Sequence, residues 1–350
     1  MNKKTALVFY TFRSTFVKKD IDILAEQYKV LEYNFYTEKK WETPFKLISQ
    51  KLFLLKNIWA AEVIICQFGG YHSFLPALFG KIFGKRCLIV VGGTEAHCFP
   101  GIGYGNWQKG LLKTFTALSF KLCSRIVPKH KTLMHCEYTY DDKEPNPQGI
   151  YARLPELKTP YTEITNGYDA SKWNCTKAKK KNTFLTVANG WEYPFQQQLK
   201  GIDLILEVAS SFPDCEFIIL GVADATIIRS GSSNVKILPP VKNEDLQNIF
   251  SECSFYMQLS MAEGFPNSIC EAMLCECVPI GSNVFSIPEI IGDSGFILKK
   301  RDSSELKHLI EKALLSDLPD LGKKARKRIA DNYTIQSRKE KLLKLCAENI

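Results

Sequence analysis

The most constraining feature of this 350-residue chain is an alternation of two periods, run through twice. In the first half, short runs rich in Val, Ile and aromatics at 6–10, 63–66, 88–91 and 125–128 are separated by helix-period stretches at 18–28, 75–83 and 109–122. The second half repeats the scheme. Strand-type runs fall at 184–187, 216–220, 235–238, 254–258 and 278–280, and helix-type segments at 202–211, 244–251, 266–275 and 303–315. Strands alternating with helices imply parallel sheets covered on both faces. The pattern therefore predicts an α/β chain of two Rossmann-like, doubly wound domains, which suits a length beyond one typical core. Two helix starts are marked. Asn243 precedes Glu244 and Asp245, acids favoured by the helix dipole, and Asp302 with Glu305 resembles a capping box. Residues 141–160 read as loop, and 334–349 as a single helix with no strand after it.

Composition narrows the class. Apolar residues make up 45% and charged residues 24%, ordinary values for a folded protein. No apolar run approaches the roughly 18 residues of a membrane span. The opening Met1-Asn2-Lys3-Lys4 and the apolar run behind it superficially resemble a signal peptide. That run is brief and no small-residue cleavage site follows, so 6–10 is read as a buried strand and a cytoplasmic location is expected. Most of the 12 cysteines lie in apolar surroundings, as reduced small hydrophobes do. The lone pair Cys275 and Cys277 has no second pair at ligand spacing, so no metal site is expected.

The charge is unevenly divided. Residues 1–168 hold 23 Lys+Arg against 14 Asp+Glu, and the remainder holds 23 of each, so the whole net charge of +9 lies in the first half. Much of it is interleaved with aromatics and aliphatics, at 39–59 and 107–131. Such stretches suit either a solvated helix face or an anionic membrane surface, which admits peripheral contact at the inner membrane face. No nucleic-acid motif accompanies the charge, and nucleic acid is not expected as a partner.

The second half carries the most informative motif. Ser260-Met261-Ala262-Glu263-Gly264-Phe265-Pro266-Asn267-Ser268 follows a strand and opens a helix that contains Glu271. Gly264 permits close backbone approach, Pro266 suits a first helical turn, and the N–H groups of 267–269 form a positive terminus ready for phosphate. The chain has three Glu-x7-Glu pairs, 244/252, 263/271 and 340/348, and only the middle one sits on such a junction. No G-x-G-x-x-G or G-x-x-x-x-G-K-[ST] is present, which weighs against dinucleotide and P-loop enzymes.

From Glu263 through Ile287-Pro288-Glu289, the sequence resembles the donor-site signature of glycosyltransferase family 4. Asn166-Gly167-Tyr168-Asp169 resembles that family's hinge, and Lys200-Gly201 its phosphate-binding pair. Gly92-Gly93-Thr94-Glu95 is similar to a family variant at a strand end. The resemblance implies a GT-B fold of two domains facing across a cleft. The acceptor domain is 1–168, joined by the terminal helix of 332–350, and the donor domain is 169–331. It implies a retaining, metal-independent hexosyltransferase with no cofactor, moving sugar from a UDP- or GDP-linked donor to a saccharide or lipid-linked saccharide in surface polysaccharide or lipopolysaccharide assembly. The implied catalytic residues are Glu263, on the transferred sugar, and Lys200, on the diphosphate. Implied donor contacts are Glu271 on the ribose, Gly264, Phe265, Pro266, Asn267, Ser268 and Asn189, which stands where many members have Arg. Arg13, Glu95 and His97 are the acceptor-side candidates. Two other classes suit the same folds: a non-catalytic nucleotide-sugar binding protein, and a GT-B phosphorylase or epimerase.

Overall fold

The computed structural model describes residues 3–188, 194–222 and 231–348. The chain divides into two compact units, and each has its own parallel sheet.

Unit 1 holds residues 1–137, 147–166 and 336–350. Its strands are β1 (Lys4–Tyr10), β2 (Tyr28–Asn34), β3 (Ala61–Gln67), β4 (Arg86–Val91) and β5 (Arg125–Pro128), in the order β2-β1-β3-β4-β5 with every pairing parallel. The three central strands are almost continuously buried, as strands covered on both faces must be. Around them lie α1 (Thr15–Ala25), α2 (Thr43–Asn57), α3 (Tyr71–Ile82), α4 (Gly110–Leu122) and the single-turn α5 (Ile150–Arg153). The sequence patterns miss β2. It is an edge strand, half solvated, and Lys29 and Glu32 interrupt its apolar residues so that they form no continuous run.

Unit 2 holds residues 138–146 and 167–335. Its strands are β6 (Lys180–Val187), β7 (Glu216–Leu220), β8 (Val235–Leu238), β9 (Cys253–Gln258), β10 (Val278–Ser282) and β11 (Phe296–Leu298), in the parallel order β11-β10-β9-β6-β7-β8. Its helices are α6 (Pro194–Lys200), α7 (Ile202–Ala209), α8 (Leu246–Glu252), α9 (Asn267–Leu274), α10 (Ile287–Ile291), α11 (Ser303–Leu314) and α12 (Leu318–Asn332). At the centre Phe184 stacks on Phe217 and Phe255 at centroid distances of 5.0 and 4.5 Å, joining three strands.

The final helix, α13 (Ile335–Ala347), belongs to unit 1 from Gln336 onward. Arg338 clasps Asp20 of α1 through two nitrogens, each at 2.8 Å, and donates to the carbonyls of Ile164 and Thr165. Both side chains of the pair are buried, so each charge depends on the other. Residues 138–146, read from the sequence as part of the first domain, sit with unit 2. The Arg301 amide donates to the Tyr140 carbonyl, and Lys300 pairs with Asp142 at 2.6 Å. Asp302 accepts from the Glu305 amide, as a cap should. The Glu305 carboxylate turns instead to the amides of Lys299 and Lys300, so the reciprocal half of the expected capping box is absent. The helix read from 244 starts at Leu246, with Asp245 as its N-cap.

Candidate active site

In an open parallel sheet, ligands bind beyond the carboxyl ends of the strands where the strand order reverses. In unit 2 that point lies between β6 and β9, which are neighbours in space. The chain leaving β6 leads to Lys200 at the end of α6, and the chain leaving β9 leads through 259–266 into α9. The topology thus brings together the two motifs singled out in the sequence.

Their contact is direct. Lys200 Nζ lies 2.7 Å from Glu263 Oε1, the side chains being 29% and 14% exposed. The same carboxylate oxygen accepts from Ser260 Oγ at 2.9 Å and Gln258 Nε2 at 3.2 Å. Gln258, buried at the end of β9, is itself fixed: its Oε1 accepts from Ser268 Oγ at 3.2 Å and Tyr256 Oη at 3.3 Å. Ser282 Oγ donates to the Ser260 carbonyl at 2.6 Å, tying β10 to the same loop. Two neutral donors, Ser260 and Gln258, and the Lys200 ammonium therefore converge on one Glu263 oxygen.

Gly201 explains how Lys200 comes so close. It has φ +69°, a left-handed conformation that L side chains rarely adopt, and a Cβ there would meet the Leu259 carbonyl oxygen at 2.2 Å. The Met261 amide donates to the Leu199 carbonyl at 2.9 Å, so the two loops are stitched backbone to backbone. Gly264, Phe265 and Pro266 are buried, and Phe265 packs edge-on against Tyr333 at 5.2 Å. Pro266 occupies the N-cap of α9, one place before the first turn predicted from the sequence, and the helix begins at Asn267. Pro266 has no side-chain group to cap the terminus, and Asn267 Oδ1 accepts from Tyr168 Oη at 2.8 Å. Glu271 is buried within α9. It and Glu263 both push the Tyr256 hydroxyl pKa up, although burial is the larger cause. Asn189 lies outside the described residues. Among the described residues no cluster of three His, Cys, Asp or Glu is placed to hold a metal.

Gln258 and Tyr256 were not singled out in the sequence, Ser260 only as part of the loop motif and Ser282 only within the stretch that carries the family resemblance. A buried Gln in a strand carries no local signal, since its importance comes from what the loop brings onto it.

Unit 1 gathers a second polar group beyond its own strand ends. Glu95 is buried, accepting from the amides of Gly92 at 2.7 Å and Gly93 at 3.2 Å. Burial raises its pKa, against the pull of those amides and of Lys129. Lys129, directly after β5, is buried with its ammonium 3.4 Å from the Phe16 ring centroid and 5.6 Å from that of Phe68. Desolvation lowers its pKa to about 7, helped by Arg338 and opposed by Asp20 and Glu95. Phe68 holds φ +75°, and a Cβ on Gly92 would collide with its ring, so this corner is tightly built. Lys129 gave no sequence signal. His97 has no solvent exposure, and its ring lies 5.9 and 6.1 Å from Phe99 and Tyr104. Burial lowers its pKa to about 3, so it is a neutral packed ring and does not present itself to an acceptor. Arg13 is half exposed and reaches Glu32 at 3.3 Å.

Residues 169–334 match the family model described as glycosyl transferases group 1. The serotype-specific mannosyltransferase WbdA of Escherichia coli is 27% identical over 118 residues, which are 34% of this chain and 12% of that protein. The O-antigen chain mannosyltransferase B of Escherichia coli is 32% identical over 83 residues, 24% of this chain and 22% of the relative. The matches thus span only a minor part of these relatives' length. Among solved structures, sucrose-phosphate synthase from Thermosynechococcus elongatus superposes with a TM-score of 0.72 at 12% identity, covering 98% of both chains. HepE from Anabaena, solved with UDP and glucose, gives 0.69 at 13% identity, covering 99% of this chain and 100% of the other. The fold is GT-B, and residues 169–334, a little under half of the chain, match the glycosyl transferases group 1 model.

Proposed function

We propose that this protein is a retaining, metal-independent glycosyltransferase that moves a hexose from a UDP- or GDP-linked donor to a saccharide or lipid-linked saccharide in surface polysaccharide synthesis. The observation that carries the reading is the Lys200–Glu263 pair beside the N-terminus of α9, at the strand-order reversal of the family-matched unit. Support for the pathway comes from the mannosyltransferase relatives and, for the nucleotide, from the UDP that HepE was solved with.

In this mechanism the donor diphosphate takes the Lys200 ammonium and the first amides of α9, which together stabilise the negative charge as the nucleotide leaves. Glu263, released from Lys200, keeps Ser260 and Gln258 and accepts hydroxyls of the transferred sugar. Glu271 accepts from the ribose. The bond from the anomeric carbon to the phosphate oxygen breaks while the acceptor oxygen bonds to the same face. The acceptor proton passes to the departing phosphate oxygen. Arg13 and the Glu95 loop of unit 1 serve the acceptor, with His97 packed behind them. The basic first unit would bring the enzyme to a membrane that presents a lipid-linked acceptor.

A thermal-shift panel with UDP, GDP, ADP, CMP and their sugars tests the donor half. A ligand at a hundred times its Kd adds about 2.7 kcal/mol. Stabilisation by one diphosphate nucleotide, weakened in Lys200→Ala, supports the reading, and no stabilisation by any of them overturns it. Donor turnover then separates the classes. A sugar-binding protein releases no nucleotide, and a phosphorylase or epimerase releases it without a saccharide acceptor.

A further inference from the structure

The inner face of α2 is conventional: Gln50 and Leu54 are buried, and Phe53 meets Phe9 and Tyr33 at 5.8 and 5.2 Å. The outer face is not. Trp41, Phe45, Ile48, Leu52, Leu55 and Trp59 are all exposed, between 47 and 73%. Their spacing of 4, 3, 4, 3 and 4 residues sets the four helical ones in a single row along α2, with a Trp just beyond each end. A solvated helix face carries polar groups here, and a contiguous apolar row of this kind marks a docking surface.

Charge says what it docks against. No acidic residue occurs between Glu42 and Glu62, whereas Lys51 and Lys56 are exposed on the same helix and Lys39 and Lys40 precede it. Lys81 and the exposed Ile82 lie on the neighbouring α3, and the Trp59 ring packs against Phe83 at 5.0 Å. Tryptophan at both ends of an apolar row flanked by lysines matches the boundary between lipid headgroups and acyl chains. This face also belongs to the half that holds the whole net positive charge.

We infer that the outer face of α2, from Trp41 to Trp59, is a membrane-docking surface that lies in the plane of an anionic bilayer. The apolar row enters the acyl boundary and the lysines contact acidic headgroups. The inference deepens the membrane part of the reading above by assigning it to one helix face, and it does not require the donor chemistry to be as proposed.

The test is cosedimentation of the full chain with vesicles of phosphatidylglycerol and phosphatidylcholine, and with vesicles of phosphatidylcholine alone. The wild type is expected to pellet with the first, more weakly with the second, and less as salt rises. Ile48→Gln with Leu52→Gln should abolish pelleting. Lys51→Gln with Lys56→Gln should weaken it by a factor of tens, at about fivefold for each lysine. All four positions are exposed, and unaltered circular dichroism and melting temperature confirm that the variants fold. The nucleotide thermal shift should be unchanged in both, which keeps failure here distinct from failure of the donor site. Wild type that stays in the supernatant, or pellets equally with both vesicles at all salt concentrations, overturns the inference. So does a wild-type dimer in solution that Leu52→Gln dissociates, because the face would then join two copies of this chain.

Discussion

Lys200 Nζ and Glu263 Oε1 lie 2.7 Å apart although 63 residues separate them in the chain. The pair is partly buried, and the carboxylate oxygen involved is the one Ser260 and Gln258 also hold. In the reading proposed above, that cation turns to the donor diphosphate while Ser260 and Gln258 keep the carboxylate in place.

The two members should therefore fail differently. Lys200→Ala is expected to weaken diphosphate nucleotide binding about 10- to 100-fold, the worth of a charge-assisted hydrogen bond. Glu263→Gln should leave nucleotide binding within a few-fold and lower turnover about 10²- to 10³-fold. Calorimetric titration with UDP and GDP, beside a nucleotide-release assay, reads both. Equal loss of binding in the two variants would mean that Glu263 serves the nucleotide and not the sugar.

Gly201→Ala should be far more damaging than its single methyl suggests. The new Cβ would sit 2.2 Å from the Leu259 carbonyl oxygen in a left-handed backbone. Strain and collision together should cost on the order of 1–3 kcal/mol, and Lys200 should be displaced with the loop. Denaturant melts and the nucleotide thermal shift should fall together. A variant with wild-type stability would show that this turn is not held as described.

Gln258→Leu removes an acceptor from two hydroxyls and a donor from Glu263. Leaving Ser268 and Tyr256 without Oε1 should cost about 1–3 kcal/mol. Turnover should fall because Glu263 loses one of its orienting donors. Gln258→Glu, which restores the acceptor and adds a like charge beside Glu263, should recover stability less than Gln258→Asn does. Urea unfolding of the three variants gives the order.

Acid should weaken unit 1 in a defined window. Burial lowers the pKa of His72 to about 4 and that of His97 to about 3. Between those values and the unfolded value of about 6.5, the unfolded chain binds protons that the folded chain does not. The stability that neutral histidine provides is thus present above about pH 6.5 and is lost as pH falls toward 4. The full effect is on the order of 3 kcal/mol for His72. His97→Phe should reduce the drop in melting temperature between pH 7 and pH 5. An unchanged drop would mean that His97 does not take part.

Asp20→Ala would leave the Arg338 guanidinium buried without its carboxylate, at a cost of about 3–5 kcal/mol. Hydrogen exchange should then report loss of protection over α13 before the central strands of unit 1. Asp20→Ala with Arg338→Met should recover part of the loss. A single variant as stable as wild type would deny the pair its anchoring role.

The repeated alternation of strand and helix periods was enough to predict two parallel α/β units, because core strands between two helix layers must be apolar along their whole length. The local motif also marked Glu263 and the α9 terminus, since glycine and proline at a strand–loop–helix junction are constrained by local backbone chemistry, whereas Lys200 was marked only by the family resemblance. The patterns did not reveal β2, an edge strand whose solvated positions break up its apolar residues, or β11, an edge strand only three residues long. Nor did they place Lys129, a lysine beside β5 that looks solvated until Phe16 and Phe68 close over it. His97 looked available in sequence and is enclosed in the fold. The sequence also left the stretch 39–59 open between solvated face and membrane surface. Only the packed unit showed that α2 turns Leu54 inward and Ile48 and Leu52 outward. Burial is a property of the whole unit: a side chain's neighbours along the chain set its backbone, and residues tens of positions away decide whether it meets water.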